Sequence, residues 1–415
     1  MKTPGYRNRA TGLLILLASV FASNLPMNAH AANFRLDTTP SLRMEEIWYS
    51  NVYNTSTDEV SSLGTRVTPT LALKFTSPDN VMLQLSGSYE KIWYNSSDAK
   101  DAESNTWYFR VDSSGGWRLT PTVSILPSVY YVNTTDSYRR TELLPSGDPL
   151  IPPASITNYG NTKSQDFGGA LGFDFLVSPK VGIGVAGEYG YRRFPGDNVA
   201  GTGLTNSTRV GGRGSVSYIL SPLSKLGLAV AAEHQTYDNG PNTDTYSAGI
   251  LYGYQFSPVL RLDTTLGGSH IRQESTPGTP ESSKWSPSGR FYLTYTTATF
   301  KATGFGDAGY SGGSGFGEAT RQITAGLVLA DQFTREWSWN LLGSYQVSKS
   351  VFISDSVNIR TKYAKGGLRY RPWEWGSLDL TGSLSRQTSD GLFGSNLDNY
   401  SAILGFTIGK PYNLY

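Results

Sequence analysis

The stretch that decides the fold is Gly168-Gly-Ala-Leu-Gly-Phe-Asp-Phe-Leu-Val177, then Ser178-Pro179-Lys180, then Val181-Gly-Ile-Gly-Val-Ala-Gly-Glu-Tyr-Gly-Tyr-Arg192. In its second arm Val181, Ile183, Val185, Tyr189 and Tyr191 share one face, and Gly182, Gly184, Ala186, Glu188, Gly190 and Arg192 share the other. That is period two, so each arm reads as a β-strand with one apolar face and one small or polar face. The arms meet at a tight turn, where proline has a fixed φ and no ladder N–H to lose.

The turn recurs. Ser77-Pro78, Ser221-Pro222 and Ser257-Pro258 repeat it, and Thr120-Pro121 and Arg371-Pro372 vary it. Thr296-Thr297 and Gln332-Phe333 fit the same spacing without proline. Successive turns lie roughly 36 to 58 residues apart, about two strands plus a turn and a loop. The chain therefore reads as a run of hairpins.

Composition narrows the class. The longest apolar run of the 415 residues is Leu13 to Ala18, preceded by Lys2, Arg7 and Arg9 and followed by Ala29-His30-Ala31. This is the pattern of a secretory signal over residues 1–31, which leaves 32–415 as the mature chain. Removing those three cations turns a formal net charge of +2 slightly negative, a balance that argues against a nucleic-acid partner. There is no cysteine, which excludes disulfides, thiolate metal sites and attached c-type haem. After the signal only His234 and His270 remain, too few for a histidine metal site on count, and no cofactor motif is present. Glycine (46) and tyrosine (26) are abundant, and apolar residues are interleaved with polar or tiny ones rather than gathered into core runs.

That interleaving is the pattern of lipid outside and water inside. The fold expected is all-β: a transmembrane antiparallel β-barrel of about 18 strands in the outer membrane. The first strand is expected over about Ser41 to Val52, the fourth as one run through Trp107 and Leu119, the twelfth over Arg290 to Thr296 and the thirteenth over Thr299 to Asp307. Parity changes near Ala364, which suggests a bulge. Short and long connections alternate, so with short turns periplasmic both termini are periplasmic. The last strand and terminal Tyr415 resemble the signal read by the barrel-assembly machinery, although Pro411 interrupts the strand just before the end.

Period two places Arg66, Lys74, Glu90, Arg110, Asp112, Arg118, Asp174, Glu188, Arg213, Lys225, Glu233, Arg261, Asp263 and Asp379 on the lumen side. They form either a solvated wall paired across strands or a conduction path whose arginines favour anionic solute. Trp107, Trp117, Trp337, Trp339, Tyr400 and Phe406 face outward as interface girdles, with carbohydrate stacking as the rival role for such residues. The long loop Thr134 to Asn161 either folds into the lumen or covers it from outside. Gly304-Phe305-Gly306 and Gly312-Gly313 have no helix after them to bind phosphate. His234 and His270 lack a nucleophile motif, so no enzyme is expected.

Pro40-Ser-Leu-Arg-Met-Glu-Glu-Ile-Trp-Tyr-Ser-Asn-Val-Tyr53, Arg66-Val-Thr-Pro-Thr-Leu-Ala-Leu-Lys74 and Leu83-Gln-Leu-Ser-Gly-Ser-Tyr-Glu-Lys-Ile-Trp-Tyr94 resemble the beta-barrel porin type 2 family of Gram-negative bacteria. The resemblance implies an 18-stranded pore that passes exopolysaccharide with a periplasmic polysaccharide-export protein. It supplies no catalytic or binding residues. The alternatives are a diffusion porin for small solutes and a closed structural or adhesin barrel.

Overall fold

The computed structural model describes residues 35–56, 59–76, 82–113, 116–135, 162–195, 204–275, 280–311, 316–353 and 356–413. Its strand segments in chain order are β1 (Arg35–Tyr49), β2 (Ser62–Thr76), β3 (Met82–Tyr94), β4 (Asn105–Asp112), β5 (Trp117–Thr120), β6 (Val123–Thr134), β7 (Ser164–Ser178), β8 (Val181–Arg193), β9 (Ser207–Ser221) and β10 (Ser224–Tyr237). There follow β11 (Thr243–Ser257), β12 (Leu260–Gln273), β13 (Ser282–Thr296), β14 (Phe300–Ser311), β15 (Thr320–Asp331), β16 (Trp337–Ser350), β17 (Asn358–Trp373), β18 (Gly376–Ser389), β19 (Leu397–Gly409) and β20 (Tyr412–Asn413).

These segments make a closed antiparallel barrel of 18 strands. β4 and β5 are two halves of one strand, since both pair with β6. β19 and β20 are likewise one strand, since both pair with β1. The ring closes where β1 runs beside β19, from Ser41 opposite Gly409 to Tyr49 opposite Ser401. Closure satisfies every strand's backbone within the sheet, the condition for crossing a bilayer with strands.

Short turns and long loops alternate along the whole ring. At the short turns a hydroxyl closes the corner. Ser178 Oγ accepts from the backbone N–H of Lys180 and Val181, and Ser257 Oγ from Val259 and Leu260. Thr334 Oγ1 does the same for Glu336 and Trp337, which explains why that corner works without proline. Ser77-Pro78 lies outside the described residues.

Several sequence expectations shift. β1 begins at Arg35, β13 at Ser282, and β14 continues to Ser311, past the expected strand end at Asp307. The fourth strand is not continuous. It breaks between the end of β4 at Asp112 and the start of β5 at Trp117, and Gly116 takes a positive φ of 78° that glycine tolerates. There is no bulge near Ala364: β17 keeps unbroken register with β16, and its one shift against β18 is at Tyr370 and Trp373, beside the short turn. The apparent parity change comes from Ile359 and Tyr363, which share the inward face with Thr361 and Lys365. Pro411 does not end the ladder either. Thr38 opposite Tyr412 continues the register set by Ser41 opposite Gly409.

The outer face carries the exposed apolar side chains, among them Leu42, Leu71, Val185, Leu228 (63% exposed), Leu266, Leu327 and Leu404. On an aqueous surface such a belt would be a liability, while against hydrocarbon it is the favoured arrangement. The protein is a barrel of the outer-membrane type. The other face encloses the lumen, and an 18-strand ring is wide enough for an aqueous channel.

Candidate functional site: the lumen and its long-loop mouth

Alternation puts all the expected lumen charges on the face opposite the leucine belt, and many are paired. Arg66 Nε lies 2.6 Å from Glu45 Oε2, and its Nη1 lies 3.7 Å from Glu90 Oε1. Arg43 joins the same cluster at 2.8 Å from Glu45. Arg110 pairs with Asp112 at 2.6 Å, Arg261 with Asp263 at 2.7 Å and Arg369 with Asp379 at 2.5 Å. Glu233 lies 3.8 Å from Arg209. Among the described residues, Lys74, Arg118, Arg213, Lys225, Asp174 and Glu188 have no ion-pair partner. The wall is thus mostly paired, with a small surplus of unpaired cations.

Sequence reading missed Glu45, Asp166, Arg290 and Asp307. Asp166 pairs with Arg192 at 2.7 Å, and Arg290 with Asp307 at 2.7 Å. Asp166 precedes the stretch that opens at Gly168, whereas Glu45, Arg290 and Asp307 lie within the expected strands, on the face that period two already turns inward.

The outward aromatics share the face of the leucine belt. Trp107 and Tyr400 are exposed on the outer face. Trp117 and Phe406 are half-buried on that face. Trp337 and Trp339 alternate with inward Ser338, and Trp337 stacks on Tyr370 at 4.5 Å. Trp373 and Trp375 stack at 5.2 Å beside a short turn.

The two ends of the lumen differ. Toward the short turns, inward side chains such as Arg118, Asp174, Lys225 and Arg261 are exposed. Toward the long loops they are buried, and some are apolar: Ile47 and Ile271 have no exposure, and Ile92, Ile359 and Leu397 are nearly as covered. What covers them is the loops. Ile47, Val52, Ile92 and Tyr94 pack with Ala99 and Ala102 of the short 3-10 helix Ser97–Ala102. Phe194 and Leu204, flanking the loop between β8 and β9, pack with Phe316, Val357, Ile359 and Phe393 from the far wall. Ile271 packs with Ala319 and Val351.

Polar contacts lock the same region. The N–H of Val351 donates to Ala319 O at 3.0 Å. Lys284 Nζ donates to the carbonyl of Val351. Ser350 Oγ and Ser356 Oγ both donate to Glu318 Oε1, at 3.1 and 2.5 Å. Burial pushes the Glu318 carboxyl above the ordinary carboxylate value, opposed by the hydroxyls of Ser356 and Ser350. The mouth is therefore narrowed by loops that reach across the lumen. Residues 136–161 of the loop Thr134 to Asn161 lie outside the described residues.

One group could hold a cation. His234 Nδ1 lies 2.7 Å from Asp244 Oδ1 across β10 and β11. With Glu274 they bring three ligand atoms within 4.8 Å of one another. Counting histidines hid this group, because its carboxylates come from a neighbouring strand and a loop.

No protein-family model matches the chain, and no relative of curated function matches its sequence. Similar solved structures include the outer membrane protein OpdK of Pseudomonas aeruginosa, at 11% identity and a TM-score of 0.44, covering 91% of this chain and 99% of that one. Acinetobacter baumannii OccAB3 gives 10% identity and a TM-score of 0.45 over 92% of this chain and 100% of that one. The FrpB iron transporter of Neisseria meningitidis gives 9% identity and a TM-score of 0.47 over 89% of this chain and 63% of that one.

Proposed function

We propose that this protein is an outer-membrane diffusion channel for small polar solutes. One observation carries the reading. Loops from opposite walls meet across the mouth, with Phe194 and Leu204 against Phe316 and Phe393, while the short-turn end of the lumen stays wet. A mouth narrowed in this way suits molecules of sugar or amino-acid size. Exopolysaccharide export, which the family resemblance implied, needs a continuous wide path, and the packed mouth argues against it. The unpaired Lys74, Arg118, Arg213 and Lys225 favour a mild preference for anions.

Liposome swelling tests this. Vesicles holding the purified barrel should admit monosaccharides and small carboxylates and exclude oligosaccharides. Equal entry of long oligosaccharides would return the reading to polymer export, and entry of nothing would favour a closed structural barrel.

A further inference from the structure

We propose that the outer face of β15 to β18, at its long-loop end, binds the phosphates of a lipid in the surrounding leaflet. Arg321 stands directly opposite Lys349, and Lys362 directly opposite Arg386. Arg360 lies between the pairs, opposite Val347 and two residues before Lys362. Period two sets all five on the lipid-facing side, with Ile323, Tyr345 and Leu384, and all five are exposed.

Like charges directly opposite each other on one sheet face destabilise the pairing. At the edge of a hydrocarbon layer that repulsion is stronger than in water. Carboxylates relieve only part of it: Asp390 lies 3.5 Å from Arg360, and Asp398 lies 3.5 Å from Arg386. Among the described residues, Arg321, Lys349 and Lys362 have no carboxylate partner. Elsewhere on the outer rim Arg272 pairs with a carboxylate, Glu281, at 2.7 Å.

The position selects the anion. Toward the barrel's middle the cations give way to the apolar belt, through Ile323, Tyr345, Leu384 and Leu380. An anion seated here has hydrocarbon immediately below it. A lipid with more than one headgroup phosphate fits both features, its phosphates between the paired cations and its acyl chains along the leucines. A free phosphate would use only the first.

The test is native mass spectrometry of the full barrel in detergent, titrated with a diphosphorylated acylated disaccharide lipid, with its dephosphorylated form and with inorganic phosphate. The double variants R321Q/K349Q and K362Q/R386Q should each bind the phosphorylated lipid about tenfold more weakly. The charge-keeping variant K349R/K362R should bind as wild type, and so should R272Q on another wall. The dephosphorylated lipid should bind wild type and variants alike, and weakly. Unchanged binding by both folded double variants would overturn the proposal. So would equal affinity for the dephosphorylated lipid, and so would inorganic phosphate binding as tightly as the lipid.

Discussion

The carbonyl oxygen of Gly317 lies 2.3 Å from where a Cβ on Gly240 would stand. Gly317 has a φ of 70°, and a Cβ on it would meet Asn239 O at 2.7 Å. Two loops from separate parts of the ring thus touch backbone to backbone over the lumen. Only glycine permits the approach at both positions.

Enlarging either glycine should loosen the mouth. G317A should cost about 1–3 kcal/mol of loop stability through steric contact and backbone strain. Single-channel current should rise relative to wild type, and proteolysis within residues 316–319 should quicken. Unchanged current would mean that this contact does not limit flow.

Acidity should close the mouth. The folded loop raises the pKa of Glu318, so it holds the protonated acid more readily than an open loop does. The closed arrangement is then fully stabilised below the ordinary carboxylate value and weakens as pH rises through the raised one. Conductance should fall on acidification across that window, and E318Q should abolish the dependence. A current that rises in acid would contradict this assignment.

The wall cluster around Arg66 should be intolerant of partial removal. R66M leaves Glu45 and Glu90 buried without their shared cation and should cost about 3–5 kcal/mol. The triple variant E45Q/R66M/E90Q should recover much of that loss. Urea unfolding of the barrel in detergent measures both.

The two faces should respond oppositely to the same charge. L228R places arginine toward hydrocarbon and should cost about 2–4 kcal/mol near the bilayer midplane. A229R, one residue on, points into the lumen and should cost far less. Folding equilibria into lipid vesicles compare them directly, and equal costs would contradict the assignment of faces.

Much of this was readable from residues alone. The hydroxyl-bearing corners marked the short turns, and leucine alternation set the faces of nearly every strand. What was not readable lies at the long-loop end. Ile47, Ile92, Ile271, Ile359 and Leu397 face inward because loops cover them, and a period-two rule has no way to foresee that cover. The same cause made β17 look irregular at Ala364. Arg321 and Lys349 were invisible as a pair, since only the register brings them together.

The most direct measurement is current across a planar bilayer holding the purified barrel. A channel narrowed by its own loops should give small, stable, step-like openings, with larger steps in G317A. Silence from both wild type and G317A would contradict a conducting lumen, and so would a wide wild-type pore that G317A leaves unchanged.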